Sequence, residues 1–314
     1  MNAYYSGRRV SALHLRRILQ LCVVFGAFSI FALPSQTAQS RTSNPPSPKS
    51  AGKKKAMLRW EPPQVDSPIP SLAATPPCSL SDVLSKAGLR ATNLVSSLQN
   101  FTAHEEIRYE ETDDLGNPNF ATSENFNYAV DFGDKSGVLV SHETRAQIGD
   151  ASVNMGDVRD SGLAVLALIF HPLIQGDYEM RCEGYGAWDT KPAWVVHFRQ
   201  KKGKTPRTLA FHTPNSTYHA ALKGRAWIAA DTGEIMHLET NLVAGIGMLG
   251  LQGNAVSVDY SPVEFHSQNV ELWLPKTAQA YADYGKRRMI IDHTFSDFQL
   301  FSVQTQQQIE KPKQ

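Results

Sequence analysis

Residues 227–238 read Trp-Ile-Ala-Ala-Asp-Thr-Gly-Glu-Ile-Met-His-Leu. Asp231-Thr232-Gly233 is turn chemistry between two apolar runs, Trp227-Ile228 and Ile235-Met236-His237-Leu238, and it predicts a β-hairpin. On both sides the chain keeps a period of two. Upstream, Trp194, Val196 and Phe198 alternate with Val195, His197 and Arg199, and Leu209 and Phe211 follow. Downstream come Val256, Val258 and Tyr260, then Val263 and Phe265, then Leu272 and Leu274, then a long run through Met289, Ile291 and Phe295. Nearer the start, Ala103, Ile107 and Tyr109 alternate with polar residues, Glu105 excepted. Phe126, Tyr128, Val130 and Phe132 alternate with Asn127, Ala129 and Asp131, and Val138 and Val140 make a third run. The connections at 113–118 and 133–137 are short and rich in turn residues, so these strands are antiparallel neighbours.

Two stretches break that period. Leu80, Val83, Leu84, Ala87, Ala91, Leu94, Val95 and Leu98 recur at spacings of three and four, which predicts an amphipathic helix over 80–99. Residues 161–175, Ser-Gly-Leu-Ala-Val-Leu-Ala-Leu-Ile-Phe-His-Pro-Leu-Ile-Gln, are apolar on nearly every side. They predict a helix that is buried or covers an apolar surface, its end marked by Pro172 and Gly176. The total is about ten or eleven strands and two main helices. The fold class is therefore α+β, mainly antiparallel β, with a sheet large enough to curl.

The chain has 314 residues, and its start reads as a bacterial-type export signal. Arg8, Arg9, Arg16 and Arg17 form a basic region before an apolar run, Ile18 to Leu33, and Ala38-Gln39-Ser40 fits a small-x-small cleavage pattern. Residues 1–40 are expected as a signal peptide, which makes the folded part periplasmic. The alternative is an inner-membrane anchor at 18–33, a run shorter than the roughly 20 residues that span a bilayer comfortably. Residues 41–77 hold nine prolines and the run Lys53-Lys54-Lys55, and read as a disordered Pro/Lys-rich linker. Residues 78–303 read as a single domain and 304–314 as a disordered tail. With Cys22 inside the signal, Cys78 and Cys182 remain, and an oxidising compartment predicts that they pair.

A formal net charge of +1 gives no electrostatic case for a nucleic-acid partner. No His-Glu-x-x-His, Cys-x-x-Cys or Gly-x-Ser-x-Gly occurs. His197, His212 and His237 could meet across adjacent strands, but they lack ligand spacing. No metal, cofactor or catalytic residue is expected. Gly245, Gly247 and Gly250 match Gly-x-Gly-x-x-Gly, yet their surroundings lack the strand–turn–helix setting of a dinucleotide site. They read instead as an apolar flap or a glycine-bent strand pair.

The order of elements is export signal, amphipathic helix, three strands, apolar helix and long meander. That order resembles the LolA-like periplasmic fold over roughly 78–303. The Trp-hydrophobic pair before the Thr-Gly turn at 227–235, Trp273-Leu274-Pro275 and the long closing strand look like that group's. The likeness is to uncharacterised exported bacterial proteins of this architecture, not to the lipoprotein carrier itself. Ala229 stands where similar hairpins often carry an acidic residue. The resemblance implies a strongly curved incomplete barrel whose hollow is lidded by the two helices. It also implies non-enzymatic binding of an acyl chain, lipid or lipidated protein there, with membrane contact that is transient or made through an uncleaved N-terminal segment. The expected lining is Phe126, Tyr128, Val130, Leu163, Leu166, Phe170, Trp194, Val196 and Phe198. The same pattern equally describes an ordinary packed core. In that case the expected role is an envelope protein-interaction or sensor module with no small-molecule ligand. A hydrolase with its triad scattered along the chain is a third reading.

Overall fold

The computed structural model describes residues 59–69, 77–97, 101–135, 138–149, 159–163, 165–266 and 268–300. Helix α1 (Leu80–Ser97) comes first, followed by strands β1 (Phe101–Asp113), β2 (Pro118–Lys135) and β3 (Val138–Ile148). After the short β4 (Arg159–Ser161) come a 3-10 helix, Leu166–Phe170, and the one-turn helix α2 (Pro172–Gln175). The meander then runs through β5 (Tyr178–Trp188), β6 (Lys191–Gln200), β7 (Ala210–Thr213), β8 (Ser216–His219), β9 (Leu222–Ala229) and β10 (Ile235–Leu242). It ends with β11 (Gly253–Phe265), β12 (Val270–Asp283) and β13 (Arg287–Leu300).

Ten strands form one antiparallel sheet in the order β3-β2-β1-β13-β12-β11-β10-β9-β6-β5, and β4-β7-β8 form a small second sheet. The expected hairpin is β9–β10, with Ile228 opposite Ile235 and Leu222 opposite Leu242. Gly233 adopts a φ of 78°. A Cβ there would lie 2.6 Å from Lys86 on α1, so the turn and the helix packed on it both require glycine.

The sheet is strongly curved. Ten strands at about 4.8 Å spacing would make a flat sheet roughly 40 Å wide. Yet Val130 of β2 and Phe198 of β6, near opposite ends of the strand order, belong to one buried cluster built around Leu163–Phe170. Only a sheet wrapped around that segment allows this. Among the described residues β3 and β5 do not pair with each other, so the barrel is incomplete.

Alternation sorts the side chains as expected. Val196 and Phe198 of β6 enter the main core, whereas Ala193 and Val195 pack with Trp227 and Met236 on the outer face. The apolar stripe of α1 (Val83, Ala87, Ala91 and Leu94) is buried, and the helix lies over the concave side. The expected pairing of Cys78 with Cys182 is present, with Cα atoms 6.4 Å apart. It ties the start of α1 to edge strand β5.

Two expectations are corrected. Residues 161–175 are not one helix. His171 is extended at φ −63° and ψ 137°, the conformation imposed on a residue that precedes proline, so the chain breaks between the 3-10 helix and α2. The burial expected there is realised: Leu163, Leu166, Ile169 and Phe170 are inaccessible to solvent. Second, part of the stretch 41–77 is a packed strap. Trp60 meets the Tyr281 ring edge-on at 5.5 Å, Val65 is buried, and Ile69 joins the outer cluster. Arg225 donates to the Ser67 carbonyl at 2.7 Å, Asn241 donates to the Pro63 carbonyl at 3.3 Å, and Asp66 pairs with Lys223. Proline denies this segment a ladder but not a surface to lie on. The expected signal peptide, the alternative anchor at 18–33 and the tail at 304–314 lie outside the described residues. Among the described residues no helix is long and apolar enough to cross a membrane.

Candidate functional site

The residues expected to line a hollow face the concave side together. Tyr128, Val130, Leu163, Leu166, Phe170, Val196 and Phe198 are buried in the main cluster, and Trp194 packs against it half-buried. Phe126 is half-buried at the rim, paired with Glu105 and Gln147 of neighbouring strands. The buried residues touch as a packed core. Phe198 meets Phe170 and Tyr178 edge-on, and Tyr128 meets Phe101 and Phe295 in the same way. Leu163 and Val165–Phe170 therefore pack in the middle of the concavity.

Open space lies beside the lid helix instead, on either side of the β9–β10 hairpin. The hairpin holds α1 through polar contacts. Lys86 donates to the Ala230 carbonyl at 3.4 Å, and Arg90 Nε donates to the Thr232 carbonyl at 2.9 Å. Arg90 Nε also lies 3.1 Å from Glu234 Oε1. On the β9 side a cleft of about 190 Å³ is walled by Val83, Lys86, Trp194, Ile228 and Ala229. On the β10 side a cleft of about 210 Å³ runs under the second half of α1 and over β10–β12. Its apolar walls include Ala91, Leu94, Ala167, Ile235 and Leu272, and Arg90, Glu234 and Glu271 stand among its polar groups.

The electrostatics of the β10-side cleft follow from burial. Loss of water pushes the Glu234 carboxyl up to about 7, with Arg90 opposing and Glu271 adding to the rise. Burial also raises the Tyr260 phenol, which lies near the Ala167 backbone without a hydrogen bond of normal geometry. Trp194 is the only residue of the expected lining in the wall of either cleft.

The expected glycine flap sits elsewhere. Residues 243–252 join β10 to β11, with a bridge between Ile246 and Leu251, a 3-10 turn at Gly247–Leu249 and Gly250 at φ 65°. This is the opposite end of β10 from the hairpin. Gly245 borders a third cleft, about 380 Å³, between the strap and the outer face. A strand, not a helix, follows at Gly253, so the nucleotide-binding setting is absent. His197, His212 and His237 have separate partners: Asp66, Ser161 and Asp259. No group of metal-ligating side chains gathers among the described residues.

No family model matches the chain, and no curated protein matches it. Among solved structures it is similar to a DUF1329 family protein from Desulfovibrio piger: 9% identity, 70% of this chain and 92% of that one, TM-score 0.39. It is also similar to a putative outer membrane lipoprotein-sorting protein domain from Vibrio parahaemolyticus (9% identity, 74% and 95% covered, TM-score 0.37). A third likeness is to a LolA superfamily protein from Nitrosomonas europaea (8% identity, 71% and 94% covered, TM-score 0.32). At these TM-scores the likenesses carry no argument about function, which has to come from the clefts and the side chains in them.

Sequence reading missed a buried polar cluster at the β1–β3 end of the concave face. Glu105 is fully buried. It accepts from Arg145 at 2.6 and 3.2 Å, and His293 Nδ1 lies 2.8 Å away. Burial alone would raise the Glu105 carboxyl, but His293 and Arg145 hold it below the usual range. Arg145 also covers the Tyr128 ring at 5.2 Å. On the outer face, His237 stacks on Trp188 at 3.6 Å and bonds Asp259 at 2.8 Å. The one available signal for the first cluster was Glu105 itself, a charge in an apolar phase of β1.

Proposed function

We propose that this chain is a non-enzymatic periplasmic binder of an acyl chain, lipid or lipidated protein, and that the chain enters the cleft between α1 and β10–β12. The observation behind this reading is a cleft directly beneath an amphipathic helix, whose lining mixes apolar residues such as Leu94, Ile235 and Leu272 with polar ones. At about 210 Å³ it is narrower than the roughly 300–1,000 Å³ of a typical small-molecule pocket, which suits one aliphatic chain better than a bulky ligand. The Cys78–Cys182 bond supports an oxidising compartment. The test is titration with a neutral fluorescent acyl probe. Val270, half-buried in the cleft wall, is replaced by Trp, with the exposed turn residue Leu115 replaced by Trp as control. Uptake by the parent chain and Leu115→Trp, weakened at least about tenfold in Val270→Trp, is expected; tenfold corresponds to about 1.4 kcal/mol.

The filled concavity favours a second reading, an envelope protein-interaction or sensor module that holds no small molecule. No uptake by the parent chain, together with an organic extract free of lipid after native purification, would establish that reading over the first.

A further inference from the structure

Residues 243–251, Val-Ala-Gly-Ile-Gly-Met-Leu-Gly-Leu, carry no polar side chain, yet they form a surface loop between β10 and β11. Met248 lies in the 3-10 turn of that loop and is 81% exposed. Leu115, at the tip of the β1–β2 turn, is 82% exposed, and among the described residues the next large hydrophobic side chain is Leu89 at 60%. A single exposed leucine or methionine is ordinary, but these two stand at the same end of the sheet. Arg288, at the start of β13, donates to the Asp114 carbonyl at 3.2 Å, which joins the β12–β13 turn to the β1–β2 turn. The Gln252 N–H donates to the Asp283 carbonyl at 2.7 Å, which joins the β12–β13 turn to the 243–252 loop. The strand order sets the three tips in a row, with Leu115 and Met248 four strand spacings apart, roughly 20 Å along the sheet. Between them the β12–β13 turn presents exposed Lys286 and Arg287, with Tyr284 half-buried beneath the Arg287 guanidinium. Asp114 is the exposed acid of the Leu115 tip. The strap starts at this end too, where Trp60 meets Tyr281 and lies under the Arg288 guanidinium. Lys53-Lys54-Lys55 precede Arg59 closely in the sequence, on a tether no longer than roughly 20 Å.

We infer that this end of the sheet docks on a phospholipid bilayer that contains anionic lipid. Leu115 and Met248 enter the boundary between headgroups and acyl chains as two separate anchors. Tyr284, Lys286 and Arg287 lie at headgroup level, where an amphipathic ring and long cationic side chains are at home. The basic run ahead of Arg59 adds attraction to anionic headgroups. A protein partner fits less well, because the two side chains project from separate tips instead of lining one contiguous apolar patch. The inference goes beyond the acyl-chain reading and does not depend on it: the clefts beside α1 flank the hairpin at the other end of β10.

The experiment is fluorescence quenching on the full chain carrying Cys22→Ser, with one polarity-sensitive label on Leu115→Cys, on Met248→Cys or, as control, on Leu89→Cys of α1. The vesicles hold equal parts of phosphatidylcholine and phosphatidylglycerol with brominated acyl chains. Docking shifts the emission of the labels at 115 and 248 to shorter wavelength and quenches it, and leaves the label at 89 unchanged. Quenching requires contact with the acyl chains, so attachment through residues 1–58 alone does not produce that pattern. Met248→Asp weakens the apparent vesicle affinity read at the 115 label about tenfold, the scale of burying one methionine, and Met248→Leu keeps it. No quenching at 115 and 248, equal quenching at all three sites, or an unchanged 115 signal in Met248→Asp overturns the inference. Blue-shifted labels at 115 and 248 without lipid, in a chain that sediments as a dimer, overturn it in favour of a second copy of the chain.

Discussion

Glu105 shows what a single residue can disclose and what it conceals. It breaks the apolar phase of β1, so the sequence marks it as unusual. Its partners Arg145 and His293 are 40 and 188 residues away, and no local pattern names them. Because Arg145 is half-buried, Glu105→Gln leaves a partly desolvated cation without its nearest counter-charge and is expected to cost about 3 kcal/mol, the low end for a broken buried pair. Urea unfolding at pH 7 measures it. The pH dependence has a definite sign. The folded carboxyl lies below its ordinary 4.5, so its contribution is present above that value and is lost as pH falls through the folded value. Glu234 acts in the opposite sense. Its carboxyl is raised to about 7, so its contribution to stability declines as pH rises from about 4.5 to about 7. Thermal melts across that range should show the decline in the parent chain and not in Glu234→Gln.

Individual elements were legible where one period ran without interruption. The stripe Val83, Ala87, Ala91 and Leu94 is the buried face of α1, and the Asp231-Thr232-Gly233 turn lies where its chemistry placed it. Residues 161–175 were legible as buried but not as to shape, because Pro172 forces His171 out of helical geometry and ends the run early. The strap at 59–69 was not legible, since proline content reports a lack of ladder bonding and says nothing of Val65 or Trp60 finding a surface. The disulfide anchoring α1 closes a separation of 104 residues. On chain-entropy grounds, Cys78→Ser with Cys182→Ser should lower stability by roughly 4–5 kcal/mol, seen as a reduced denaturation midpoint with a steeper slope, because the uncrosslinked unfolded chain exposes more surface.

At the scale of the whole molecule, strand count and sheet size were readable. The pairing of β1 with β13 was not, because register between residues as far apart in sequence as Phe101 and Leu300 leaves no trace in either strand alone. Nor could the pattern tell a hollow from a core, since both call for the same inward apolar residues. Among the described residues, Leu163 and Leu166–Phe170 pack within the concavity, and two clefts flank α1. The central claim is that an aliphatic chain lies in the β10-side flank. Photo-crosslinking with a neutral diazirine-bearing acyl probe, followed by peptide mapping, tests it most directly. The expected labels are on α1 around Leu94 and on β12 around Leu272. Saturable labelling confined to the outer face beneath the strap, or none at all, would contradict it.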